Sequence, residues 1–212
     1  VIGANGSGKS TFGRIIEKGW NIMTNSIKTD GAKPVVKFIE FSDIHSLSGC
    51  HVEYYQQRHE ATMNDEVPTV AEIMGDNIAS DKWRQFCSWL HLEGVEQKKV
   101  NYLSSGELRK LLIINMMFQQ PDLLIVDNPY IGLDAASRAL FDEAIAEIAG
   151  RGTSVMLLLC NPGEIPDCTD TVIPMRSLTI GESMDYRGNA AAARGAMMTL
   201  MDYAVNLERV PK

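Results

Sequence analysis

The chain has 212 residues, of which 45% are hydrophobic, and a formal net charge of -7. That length suits one large domain, or a domain with a small subdomain, and the acidic balance argues against broad, charge-driven binding to nucleic acid or to an anionic membrane. The cysteines (Cys50, Cys87, Cys160, Cys168) and histidines (His45, His51, His59, His91) show no C-x-x-C pair and no clustered ligand spacing, which sets aside a disulfide framework and a zinc site and reads as reduced thiols in a cytoplasmic protein.

Val1 and Ile2 read as the end of a strand that runs straight into a glycine-rich loop, Gly3 to Gly8. Strands average about 5–6 residues, so further strand sequence is expected upstream. No secretory leader pattern is read, and no stretch approaches the ~18 apolar residues of a membrane span. A helix follows the loop, with Phe12, Ile15, Ile16 and Trp20 on one face. Residues 34–42 (PVVKFIEFS) and 51–56 (HVEYYQ) read as strands, and residues 58–66 as polar loop. Residues 69–92 are expected to be helical in two pieces. Ser80 is the N-cap of the second, which sets Trp83, Phe86, Cys87 and Leu90 on one face. A strongly apolar helix is expected within 103–120, before Pro121.

Two apolar runs come next, LLIV at 123–126 and VMLLLC at 155–160, with a helix of about 135–149 between them. Short buried strands alternating with helices predict an α/β fold with a parallel sheet covered on both faces. Residues 171–175 and 178–180 read as terminal strands. Met197, Leu200, Met201, Ala204 and Leu207 fall on one face of a last helix. There is no internal repeat.

The sequence GANGSGKST at 3–11 fits G-x-x-x-x-G-K-[ST] from Gly3 to Ser10. Glycines allow backbone angles at which successive N–H groups converge on an anion, and the helix that follows adds its positive end. Lys9 suits the β- and γ-phosphates, and the Ser10 hydroxyl suits Mg²⁺. Asp127 ends an apolar strand, where a carboxylate is placed to hold Mg²⁺ through water.

These residues resemble the ATP-binding cassette (ABC) nucleotide-binding domains over nearly the whole chain and in the family's order. Gly3, Ala4, Asn5, Gly6, Ser7, Gly8, Lys9, Ser10 and Thr11 match its Walker A loop, and LLIVD its Walker B strand. YYQQ at 54–57 resembles the Q-loop, with Gln57 as the Mg²⁺ and γ-phosphate sensor and Gln56 as the alternative. LSSGE at 103–107 is similar to the signature, about 20 residues before Asp127, and GLD at 132–134 to the D-loop, with Asp134 its acidic residue. Ser104, Ser105, Gly106 and Glu107 open a helix whose free N–H groups suit an anion. In the family that anion is the γ-phosphate bound by a partner cassette. The resemblance therefore implies a P-loop fold, ATP and Mg²⁺ as ligands, and head-to-tail pairing with a second cassette in the same chain or a homodimer.

It further implies a cassette at 1–190 with a helical subdomain near 58–105, a place that meets membrane subunits in transporters. The adenine-stacking residue would lie on strands upstream. Within the family, the spelling from Tyr102 to Arg138 is similar to the tandem proteins labelled ModF or photorepair-type. On that reading this is a first cassette, and the helix at 191–212 leads to a second.

Two positions depart from the family pattern. The Glu expected after Asp127 is Asn128, and the expected switch His is Asn161. General-base help contributes roughly 10²–10⁴-fold. An amide accepts no proton at neutral pH, although it can orient water, and Glu164 is a weak substitute. The expectation is an ATPase domain that binds Mg-ATP and hydrolyses it slowly at its own site. The alternative is an ATP-gated dimerisation module with little turnover. A chromosome or repair ATPase ranks lower, because its long coiled-coil insertion is absent from this spacing.

Overall fold

A computed structural model describes residues 1–18, 34–40 and 67–208, the side chains of Ser105 and of 201–208 excepted. The chain divides into two compact units. The first comprises 1–38, 123–131 and 154–212, and the second 39–122 and 132–153.

In the first unit, Leu124, Ile125 and Val126 of strand β2 (Leu123–Asp127) are wholly buried. β2 pairs in parallel with β3 (Ser154–Leu158), in a register that sets Asp127 beside Leu158. β1 (Val36–Glu40) lies on the other side of β2, giving the order β1-β2-β3. Two apolar runs that need burial on both faces thus meet as central strands. The expected terminus of a strand at Ile2 is a bridge residue that pairs in parallel with Leu159 and with Pro174. Helix α1 (Lys9–Lys18) lies over a cluster of Phe38, Ile125 and Leu158, to which Ile16 adds its side chain. Gly13 permits that approach: a Cβ there would stand 2.5 Å from the Phe38 ring.

The expected strand at 171–175 is instead two short pieces. β4 (Thr171–Val172) pairs with β7 (Met184–Asp185), and β5 (Met175–Arg176) pairs with β6 (Thr179–Ile180), both antiparallel. Pro174 lacks the N–H needed to continue a ladder and separates β4 from β5. The last helix, α6 (Ala190–Glu208), begins one residue before the expected start. Among its described side chains Ala190, Ala193 and Met197 are buried, whereas Leu200, expected beside Met197, is 48% exposed; the side chains of Met201, Ala204 and Leu207 lie outside the described residues. Arg194 ties it down by donating from Nε to the Ile165 carbonyl at 2.8 Å.

The second unit is helical among its described residues from 67 onward. α2 (Val70–Met74) and α3 (Asp81–Leu90) are joined by a 3₁₀ turn, which gives the two expected pieces. Ser80 accepts from the Trp83 N–H at 3.1 Å. Trp83, Phe86, Cys87 and Leu90 are buried, and the Phe86 ring meets Phe118 edge-on with centroids 5.3 Å apart. α4 (Ser105–Met117) carries Leu108, Leu111, Leu112, Ile113 and Ile114 inside, and α5 (Ala135–Gly150) buries Phe141, Ala144, Ile145 and Ile148. Among the described residues no helix is long and apolar enough to cross a membrane. The expected strand at 51–56, the loop at 58–66 and Trp20 lie outside the described residues.

Candidate functional site

The loop from Gly3 to Gly8 leaves the bridge residue Ile2 and enters α1. Gly3 is locked from both sides: its N–H donates to the Leu159 carbonyl at 3.1 Å, and a Cβ would stand 2.1 Å from the Met175 carbonyl oxygen. Gly6 and Gly8 take positive φ, 78° and 99°, which glycine adopts without steric cost. Lys9 is only 5% exposed. Its Nζ donates to the carbonyls of Gly3 at 2.8 Å and Ala4 at 3.0 Å, so the loop closes around its own ammonium. Ser7 is buried as well, and its Oγ finds no hydrogen-bond partner. Ser10 stands in the first turn of α1, partly buried, and Thr11 is exposed. The β5–β6 turn leans on the loop: Leu178 donates its N–H to the Ser7 carbonyl at 3.0 Å.

Asp127 ends β2 and is 3% exposed. Its Oδ1 is buried with no hydrogen bond to it, although the residue interacts elsewhere. A buried carboxylate oxygen and a hydroxyl are hard oxygen donors of the kind Mg²⁺ takes, so Asp127 and Ser10 fit that ion in chemistry and in burial.

Asn128 follows in the left-handed region, with φ 47°, and its N–H donates to the Leu158 carbonyl at 3.0 Å. Asn tolerates this conformation better than most residues. Its side chain is engaged too: the Cys160 thiol stands 3.0 Å from Asn128 Oδ1 and 2.9 Å from Asn5 Oδ1. Cys160 thus brings the loop residue Asn5 and Asn128 together. The sequence held only a faint signal for it, a polar atom closing the apolar run VMLLLC. Asn161 caps the 3₁₀ turn Pro162–Glu164, accepting from the Gly163 N–H at 2.9 Å, and its side-chain oxygen serves that turn.

The residues 104–107 lie in the second unit and open α4 as a capping box. Ser104 Oγ accepts from the Glu107 N–H at 3.1 Å, and the Glu107 carboxylate accepts from the Ser104 N–H at 2.7 Å. The Ser104 side chain is therefore turned onto its own helix start and engages Glu107. Lys98 Nζ meets Glu107 at 2.9 Å. Burial pushes the Glu107 carboxyl up, and the Ser104 N–H with Lys98 outweighs it, leaving the net value below 4.5. A Cβ on Gly106 would make ordinary contacts, the nearest with Ser137 Oγ at 3.8 Å. Asp134 caps α5 through the Ser137 N–H at 2.7 Å, which lowers its carboxyl from the ordinary value. Gln57 and Gln56 lie outside the described residues.

The model of the family described as ABC transporter matches residues 1–131. The chain is 28% identical over 195 residues to the ABC transporter ATP-binding protein ModF of Escherichia coli, covering 86% of this chain and 37% of that one. It is 26% identical over 196 residues to an uncharacterized ABC transporter ATP-binding protein of Schizosaccharomyces pombe, covering 85% and 40%. The chain thus spans about two-fifths of the length of these relatives. Among solved structures, cbiO1 of Clostridium perfringens, part of the ABC transporter complex cbiONQ, matches with TM-score 0.66 at 18% identity over 98% of this chain and 83% of that one. An ATP-binding cassette in a dimeric post-hydrolysis state with ADP and Pi matches with TM-score 0.59 at 16% identity, covering 88% and 84%. At such identities these structures speak for the fold.

Proposed function

The chain belongs to the ABC transporter family, and from that premise we propose that it binds Mg-ATP on residues 3–11 with Asp127 and hydrolyses it slowly at its own site. The observation that carries the binding step is Lys9, buried and held by the Gly3 and Ala4 carbonyls, within a loop whose N–H groups lead into α1. An anion there meets backbone donors, a helix N-terminus and a cation together. Ser10 and Asp127 are the described residues that would hold Mg²⁺, and Gln57, outside the described residues, is the further candidate. When bound there, the ion would supply positive charge against the β- and γ-phosphates. The adjoining protein groups orient the phosphates and exclude water.

Slow chemistry follows from Asn128 and Asn161. Neither accepts a proton at neutral pH, and the side-chain oxygen of each is already engaged inside the protein. Residues 104–107 then serve a second cassette, bound head to tail, and complete a site on it. One observation supports pairing: a cassette of similar fold is dimeric. The cassette spans 1–190, with a helical subdomain near 58–105 and a connecting helix at 191–212. On this reading the chain is cytoplasmic, at the inner membrane face when transport subunits are its partners.

Equilibrium Mg-ATP binding and single-turnover hydrolysis, measured on the complete protein, test this. Asn128→Glu is expected to raise the single-turnover rate by about 10²-fold. A wild-type rate that Asn128→Glu leaves unchanged overturns the slow-site reading. In a mixed or tandem assembly, Ser105→Arg is expected to cut turnover at the partner's site. A second reading, an ATP-gated dimerisation module with little turnover, is favoured by the engaged oxygens of Asn128 and Asn161; binding that persists while single-turnover hydrolysis stays undetectable selects it.

A further inference from the structure

We propose that Cys160 is a positioning residue that fixes which edge of the Asn128 amide faces bound nucleotide, an inference that rests on ATP binding at residues 3–11. The thiol sits between two side-chain oxygens, 2.9 Å from Asn5 Oδ1 and 3.0 Å from Asn128 Oδ1. A thiol has a single proton to donate, so the two amides share it by turns. Asn128 has little freedom to avoid this contact. Its backbone is left-handed and its N–H is fixed on Leu158.

The consequence is chemical. With Oδ1 turned to the thiol, the edge of Asn128 that faces away from it is Nδ2, a donor. A donor edge can bond a phosphate oxygen but cannot accept a hydrogen bond from water. The acceptor edge, the one able to orient an attacking water, is turned inward. The same thiol reaches Asn5, so Asn128 and the phosphate loop are tied through a side chain that neither unit of the motif spelling includes. Cys160 is partly buried, and a side chain of similar size with a hydroxyl proton would preserve the bridge.

The test uses Cys160→Ala and Cys160→Ser in the complete protein. Removing the donor frees the Asn128 acceptor edge. Cys160→Ala is therefore expected to raise the single-turnover ATP hydrolysis rate about two- to tenfold, the range that one intramolecular hydrogen bond controls. Affinity for Mg-ATP should change far less, and Cys160→Ser should return the rate to the wild-type value. In an Asn128→Ala background, Cys160→Ala should change nothing. A rate that Cys160→Ala leaves unchanged or lowers overturns the proposal. Side-chain amide signals of Asn128 and Asn5, read by nuclear magnetic resonance in ligand-free protein, should shift in Cys160→Ala. Unshifted signals remove the bridge itself, whereas failure of the wild-type protein to bind Mg-ATP removes the reading beneath it.

Discussion

Gly13 sets α1 tightly against Phe38 and Leu158, and it limits what that helix tolerates. A methyl group there would stand 2.5 Å from Phe38 Cε2 and 3.1 Å from Leu158 Cδ1. Alanine favours a helix interior over glycine by about 1 kcal/mol, but overpacking a filled core costs roughly 1–3 kcal/mol. Gly13→Ala is therefore expected to destabilise the protein by about 1 kcal/mol, read as a lower urea midpoint; a raised midpoint would show that Phe38 yields freely. Cys87 carries a different signal. Burial, then Glu96 and Glu93, push its thiol from 9.0 to about 12. The unfolded chain releases this proton first, so the contribution to stability is complete below pH 9 and falls as pH rises from 9 to 12. Loss of stability over that range should shrink in Cys87→Ala, and the wild-type thiol should resist alkylation at pH 9 until the protein unfolds. The spelling of the chain disclosed Asn128 and Asn161 as departures, because they replace expected types at fixed positions. It could not disclose Cys160, whose role depends on two side chains 32 and 155 positions away.

The helices were legible because their ends are written in side chains that cap locally. Ser80 and Ser104 both accept the N–H three residues on. Loss of such a cap costs about 1 kcal/mol, so Ser104→Ala should lower the stability of the second unit by about that amount, checked by denaturant titration. Its partner Glu107 adds a pH signature. The folded carboxyl titrates below 4.5, so its contribution is present above that value and is lost as pH falls through the folded one. Glu107→Gln should flatten stability against pH in that range. The terminal hairpins were less legible. The turn between β5 and β6 puts Ser177 at φ 47° and Leu178 at φ 64°, and two non-glycine residues in that conformation lack the Asn-Gly spelling that announces such turns. Leu178 is 74% exposed, and its N–H on the Ser7 carbonyl, with its Cδ2 against Gly8, places it on the loop. On α6 Met197 is buried as expected and Leu200 is not, and Ala190 and Ala193, too small to weigh in an apolar pattern, take further buried positions.

For the molecule as a whole, the parallel pairing of β2 and β3 was legible as two unbroken apolar runs with a helix between them. The place of Ile2, read only as a strand end, was not, since it joins Leu159 and Pro174, far apart from it in sequence. If Mg-ATP binds as proposed, saturating it to 100 times its Kd should stabilise the protein by about 2.7 kcal/mol. That corresponds to a rise of roughly 5–10 °C in Tm for a chain of this size. Lys9→Ala should abolish the shift, and a wild-type Tm indifferent to Mg-ATP would refute the binding step. The hold on Lys9 also bears on which molecules the loop admits. Its side chain has already surrendered its rotamer freedom to the Gly3 and Ala4 carbonyls, so capturing a ligand is an exchange of partners rather than an ordering of the chain. Two carbonyl oxygens therefore set a threshold. A polyphosphate outbids them, whereas adenosine, which brings no anion to the exchange, leaves the ammonium where it stands.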